Sequence, residues 1–192
     1  EYAEFGELEG HSLDGRDREA VDRWFAEQPP PDLAVTCLSA LSGAWEDAIA
    51  VDLEANLNVM RVAETHLRSP GSFTYVGSKA SSVATPGFEA YGAAKAAMVH
   101  CTASLAARLT PRGIRVNVLS PGDTFVPGGF WDHIKRESPE LYASTVAENP
   151  LGRFARPEEI AAAVVFLASP AASFVSGANW YVHGGAQSGV QF

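Results

Sequence analysis

"YGAAKAAMVHCTASLAARLTPRGIRVNVLSPG" (91–122) joins a small-residue helix, a breaker and an apolar strand in one run of chain. Tyr91 and Lys95 are the bulky polar pair on a stretch of alanines. Residues four apart on a helix project from one face, so both can reach a single site. Gly92, Ala93, Ala94, Ala96 and Ala97 leave room for something large to approach. Pro111-Arg112-Gly113 ends the helix, and Ile114 to Ser120 reads as a strand closed by Pro121-Gly122.

Outward from this run, helical and strand patterns alternate. Residues 16–28 place Ala20, Val21, Trp24 and Phe25 on one helical face. Strand 33–38, helix 44–67 and strand 72–78 follow, and a loop with Pro86-Gly87 leads into helix 89–110. Beyond strand 114–120, the stretch 121–150 is irregular, with a short helix interrupted by Pro139. Helix 156–169 carries Pro157 in its first turn, where a missing N–H costs nothing, and 177–185 is a last strand and turn. Such alternation predicts an α/β fold, a doubly wound parallel sheet covered on both faces. Sheets of this kind bind ligands at the carboxyl ends of their strands.

The bulk numbers fit one domain over residues 1–192: 46% hydrophobic and 19% charged residues. A net charge of −9 argues against nucleic acid, whose phosphates would be repelled. Cys37 and Cys101 have neither metal-ligand nor disulfide spacing, so no metal is expected and a reducing, cytoplasmic setting is the default. No apolar run approaches the ~20 residues of a membrane span. The chain opens on Glu1, which suggests that it begins inside a longer parent.

The chemistry expected of Tyr91 and Lys95 is proton transfer. A phenol titrates near ~10, and a lysine cation beside it favours the phenolate. Such a pair can donate a proton to a carbonyl oxygen as it becomes an alkoxide. Taken alone, such a pair is common and is better read as a tyrosine closing a core and a lysine reaching solvent. Its setting decides. Ser78, thirteen residues upstream, closes a predicted strand, and its hydroxyl can donate to and accept from a substrate oxygen. Gly122 closes the next strand and would let a planar group approach the backbone.

Four segments in order resemble the classical short-chain dehydrogenase/reductases, the 3-oxoacyl-ACP-reductase-like members in particular. They are "GSFTYVGSKASS" (71–82), "YGAAKAAM" (91–98), "IRVNVLSPG" (114–122) and the run 152–185 ending "NWYVHGG". The resemblance implies a three-layer, Rossmann-like fold and hydride transfer between NAD or NADP and a ketone or secondary alcohol. By it Tyr91 is the acid-base, Ser78 holds the substrate oxygen, and Lys95 lowers the tyrosine's pKa and grips the nicotinamide ribose. Pro121 and Gly122 border the nicotinamide, and Thr124 stands two positions early for the threonine that contacts the cofactor. Asp14 matches the acid that reads the adenine, although a helix-start cap explains it as well. Thr36, Cys37 and Leu38 form the floor under the cofactor. Residues 123–150 correspond to a substrate lid hinged at Pro127-Gly128-Gly129, whose Phe125, Phe130 and Trp131 suggest an apolar substrate. Helices 44–67 and 89–110 suggest a homodimer or homotetramer.

The departures from the family are specific. Its glycine-rich opening is missing: "FGELEGHS" has Gly6 and Gly10 but Ser12 for the third glycine, and Glu7 and Glu9 would repel a diphosphate. Residues 8–14 are read instead as the third strand, with strands 1 and 2 lacking and strand 33–38 an exposed edge. The family's Asn-Asn-Ala-Gly is here Thr36-Cys37-Leu38-Ser39. Its helix asparagine falls on Asp52, a carboxylate that would hold Lys95 charged, with Asn56 one turn on as a substitute. His183 stands where an aspartate precedes Gly184-Gly185 and receives no role. These changes keep two alternatives open, a non-catalytic scaffold or binding member, and an isomerase or dehydratase using the same Tyr-Lys pair.

Overall fold

A computed structural model describes residues 9–187. Helix α1 (Arg18–Glu27) leads to strand β1 (Leu33–Thr36). A long helical rod follows: α2 (Trp45–Asp47), a π-helical stretch Ala48–Ala55, and α3 (Asn56–His66). Then come β2 (Gly71–Val76), a 3₁₀ turn (Lys79–Ser81), α4 (Glu89–Leu109), β3 (Ile114–Pro121), α5 (Phe130–Glu137), α6 (Pro139–Glu148), α7 (Pro157–Ala168) and β4 (Asn179–Val182). All neighbouring strands are parallel, in the order β1-β2-β3-β4.

The alternation of side chains along β3 explains the three layers. Ile114, Val116 and Val118 point to one face and pack with Phe73, Tyr75, Met98, Leu105 and Leu109 beneath α3 and α4. Leu119 points to the other face, against Ile160 and Leu167 of α7. Arg115, on that same face, donates to the carbonyls of Leu167 (2.6 Å), Ala168 (2.9 Å) and Ser169 (2.9 Å). The Leu167 and Ala168 carbonyls are ones that the end of α7 leaves without helical partners, so one side chain both caps the helix and ties it to the sheet.

Several expected boundaries move, each for a local reason. Residues 9–14 form no strand, because among the described residues no strand lies alongside to pair with them. Residues 5–8 of the rejected glycine motif (5–12), the first residue of the expected third strand among them, lie outside the described residues. The N-cap of α1 is Asp17, whose carboxylate accepts from the Ala20 N–H, and not Asp14. β1 stops at Thr36 rather than at residue 38, and β2 at Val76 rather than 78. Pro139 does not merely interrupt a helix; it opens α6, as proline does at a first turn.

Among the described residues β1 is an edge strand, as the pattern implies. Leu33 is 50% and Val35 39% exposed. Cavities of about 660 and 320 Å³ include these two residues in their walls, the first shared with Val164 and Val165 of α7, the second with Trp24, Phe25 and Val59. The larger one also reaches Gly71, Gly113 and Arg115, at the amino ends of the strands. It therefore lies at the opposite edge of the sheet from Tyr91, and its walls are apolar packing surface.

Candidate active site

The carboxyl ends of β1, β2 and β3 converge on the first turns of α4. Ser78 is not the end of β2 but the cap of the 3₁₀ turn behind it, its Oγ accepting from the Ala80 N–H at 3.1 Å. That bond fixes the oxygen and leaves its hydrogen for another partner. Gly92 has a reason other than room for a ligand. A Cβ there would sit 3.0 Å from the Ala80 carbonyl oxygen, so the glycine lets the turn after Ser78 press onto α4 beside Tyr91.

Tyr91 is half-buried, flanked by the hydroxyls of Ser78 and Ser39. Burial pushes its phenol above the ordinary value; the two hydroxyls oppose this, and the Asp52 carboxylate adds to it. Lys95 is also engaged elsewhere. Its Nζ lies 3.2 Å from Asp52 Oδ1 and 3.5 Å from the Leu38 carbonyl oxygen, so its charge is matched by the carboxylate. The two side chains are 2% and 0% exposed. Burial pulls the ammonium below its usual range, against the opposing pull of Asp52. The ammonium also lies between two aromatic rings, 5.3 Å from the centre of Tyr75 and 5.4 Å from that of Tyr91.

The loop after β1 is built around the same carboxylate. Ser39 Oγ donates to Asp52 Oδ1 at 2.6 Å, and the Ala40 N–H donates to Oδ2 at 3.2 Å. Asn56 does different work from the substitute role first given to it. Its Oδ1 accepts from Thr36 Oγ1 (2.7 Å), and its Nδ2 donates to Leu38, Val51 and Asp52 carbonyls at 2.9–3.1 Å. Two of those carbonyls belong to the π-helical stretch that carries Asp52, so Asn56 couples that irregular turn to the end of β1.

The remaining candidates separate into near and far. Leu38 is half-buried and Cys37 exposed at the β1 end. Pro121 ends β3, and Thr124 Oγ1 donates to the Gly122 carbonyl at 3.1 Å. Gly122 is glycine for packing: a Cβ would lie 2.7 Å from His183 Cβ and 2.8 Å from its Cα. Asp14 is exposed and bound by the Arg16 guanidinium, which holds its carboxyl down at about 2. Its chain neighbour Gly15 abuts Leu38, where an added Cβ would sit 2.7 Å from Leu38 Cδ1. Over the site, Phe88 packs edge-on to Tyr91 and to Phe130 of α5, and Phe130 contacts Trp131.

Sequence reasoning named Ser39 only as part of an altered segment and missed it as the anchor of Asp52; a serine where the family has glycine is the available signal. It also missed the ion pair of Lys79 with Asp123, which ties the turn after Ser78 to the loop after β3. Nothing in the spacing marked that pair.

A parallel sheet with helices on both faces, carrying tyrosine, lysine and serine at its carboxyl edge, defines a Rossmann-type α/β protein. A family model described as Enoyl-(Acyl carrier protein) reductase matches residues 29–187. Isoepoxydon dehydrogenase patN of Penicillium expansum is 38% identical over 153 residues, 77% of this chain and 58% of that protein. 2-(S)-hydroxypropyl-CoM dehydrogenase 3 of Xanthobacter autotrophicus is 38% identical over 148 residues, 75% of this chain and 58% of that one. The crystal structure of a dehydrogenase/reductase from Sinorhizobium meliloti 1021 superposes with a TM-score of 0.81 at 30% identity, covering 91% of this chain and 73% of that one. The chain belongs to the short-chain dehydrogenase/reductase family. It spans about 58% of the length of these two curated relatives.

Proposed function

We propose that the protein is an NAD(P)-dependent oxidoreductase that interconverts a ketone and a secondary alcohol, with Tyr91 as the acid-base. The observation that carries this reading is the meeting of Tyr91, Ser78 and Lys95 at one edge of the sheet. Ser78 orients the substrate oxygen through its hydroxyl hydrogen, and Tyr91 exchanges a proton with that oxygen. A nicotinamide dinucleotide, when bound, supplies or accepts the hydride.

The residues at this edge suit the nicotinamide-ribose end of such a cofactor. Leu38 and Cys37 would form one wall, and Pro121, Gly122 and Thr124 the other, with Lys95 offering the N–H that neither Asp52 nor Leu38 takes. Asp14, close to Leu38 through Gly15, would meet the adenine end. NAD and NADP are both compatible with these groups. The aromatic run Phe88, Phe130 and Trp131, within the substrate lid proposed for 123–150 and beside it, favours an apolar, ring-bearing substrate. A homodimer or homotetramer would use the outer faces of α3 and α4. No helix of the described residues is long and apolar enough to cross a membrane.

A non-catalytic reading has one observation in its favour: Asp52 occupies Lys95 with an ion pair, and Leu38 and Ser39 narrow the floor. Titration of the full-length protein with NADH and NADPH, followed by nicotinamide fluorescence, separates the two. Saturable enhancement supports the oxidoreductase; no binding of either dinucleotide at millimolar concentration supports the scaffold.

A further inference from the structure

A lysine beside a catalytic tyrosine helps form phenolate only if its positive charge is felt there. In this chain a second group stands against that charge. Asp52 Oδ1 is 3.2 Å from Lys95 Nζ, and neither side chain has more than 2% of its surface exposed. The carboxylate is held in place by two donors, the Ser39 hydroxyl at 2.6 Å and the Ala40 N–H at 3.2 Å. Asn56 fixes the turn of π-helix that presents it, through the Val51 and Asp52 carbonyls. The ion pair is thus a built feature with its own supports, not an accident of a flexible side chain.

We propose that Asp52, held by Ser39 and Ala40, neutralises Lys95 and so makes Tyr91 a proton donor through neutral pH: the site reduces carbonyls there and oxidises alcohols only in alkaline solution. The proposal rests on the oxidoreductase reading for its reaction and deepens it by naming the working direction. In the favoured direction a dihydronicotinamide, when bound, would supply the hydride to the carbonyl carbon and be oxidised. The C=O π pair moves onto oxygen, and the Tyr91 O–H breaks to give it its proton. Solvent then returns a proton to Tyr91. The reverse needs the phenolate at the start, and an electrically neutral Asp52–Lys95 pair does little to create it.

The groups around Tyr91 leave Asp52 as the deciding charge. On α4 itself stand Lys95 and Glu89, the latter exposed and accepting from the Gly87 N–H. β2 contributes Tyr75, a buried phenol pushed far up by its own burial, and therefore neutral. The β1 loop contributes the Ser39 hydroxyl and Cys37, which faces Lys95. The 3₁₀ turn adds Ser78 and Lys79, whose charge is matched by Asp123. On α5, Asp132 is taken up by the Gly128 N–H and lies 3.9 Å from Arg136. The direction found for the Tyr91 phenol agrees: burial raises it most, the Ser78 hydroxyl lowers it, the Asp52 charge raises it and the Ser39 hydroxyl lowers it, and the balance is upward.

The test is a spectrophotometric titration of phenolate absorbance in the ligand-free protein, with Tyr91→Phe subtracted so that the difference reports Tyr91 alone. The wild type should show Tyr91 ionising above the ~10 of an ordinary tyrosine. Asp52→Asn, which keeps the shape and removes the charge, should move that transition to lower pH by about one unit or more. The alkaline limb of alcohol oxidation should move with it. A wild-type Tyr91 that ionises at or below the ordinary value overturns the proposal without any Asp52 variant having to fold. An unmoved transition in folded Asp52→Asn overturns it equally. Titration as expected in a protein that turns over no carbonyl instead defeats the oxidoreductase reading and leaves the electrostatic arrangement standing.

Discussion

The Lys95 ammonium and the Asp52 carboxylate, 3.2 Å apart, are both sealed from solvent beneath Tyr91. Two ions taken out of water cost several kcal/mol each, and only a close, well-bonded partner offsets this. Asp52→Leu strands the ammonium and should destabilise the fold by about 3–5 kcal/mol in urea melts. Asp52→Asn should cost less, since an amide oxygen still accepts from Ser39 and Lys95. Equal stability of the leucine variant and wild type would show that Lys95 finds water.

Asn56 serves four partners at the joint between β1 and the π-helical turn. Replacing it by alanine leaves the buried Thr36 hydroxyl and the Leu38 carbonyl short of a partner. Each unsatisfied buried group costs about 1–3 kcal/mol, so Asn56→Ala should lose at least about 2 kcal/mol in chemical denaturation. Its catalytic effect should exceed that of a surface substitution, because the same residue presents Asp52.

Gly122→Ala puts a Cβ within 2.7 Å of His183 Cβ and 2.8 Å of its Cα, the second a backbone atom that cannot swing aside. Overpacking of this kind costs about 1–3 kcal/mol. Thermal melts should show the loss, and His183→Gly in the same chain should recover part of it. Full stability of Gly122→Ala alone would mean that β3 and β4 separate easily at this end.

Phe73, wholly buried at the centre of β2, anchors the α3–α4 side of the core. Phe73→Ala should cost about 3–5 kcal/mol. A loss under 1 kcal/mol in equilibrium unfolding would contradict the placement of the core.

The layers and the Tyr91–Lys95 turn were legible because period and spacing are local properties. Helix 89–110 and strand 114–120 differ from α4 and β3 by a residue or so at either end. The third strand at 8–14 rests on the resemblance alone, and residues 9–14 form no strand because the neighbours the resemblance would give them have no counterpart among the described residues. The charge state of the site was hidden for a related reason. Asp52 and Lys95 are 43 positions apart in the chain, and Ser39 another 13 before Asp52, so the neutral pair exists only once β1, the π-helical turn and α4 come together. The sequence places Asp52 beside Lys95 through the resemblance, while Ser39 as the group that holds the carboxylate is supplied by the fold alone. Gly92 and Gly122 carry the same lesson: both looked like space for a ligand, and both are contacts between elements.

The proposed reaction turns on one phenol exchanging the substrate's proton. Its most direct measurement is ketone-dependent consumption of NADH or NADPH at neutral pH by the full-length protein and by Tyr91→Phe, with matching circular dichroism. A general acid contributes roughly 10²–10⁴-fold, so the variant should lose at least two orders of magnitude in kcat while its dinucleotide affinity stays within a few-fold. Turnover by Tyr91→Phe at the wild-type rate would contradict the claim.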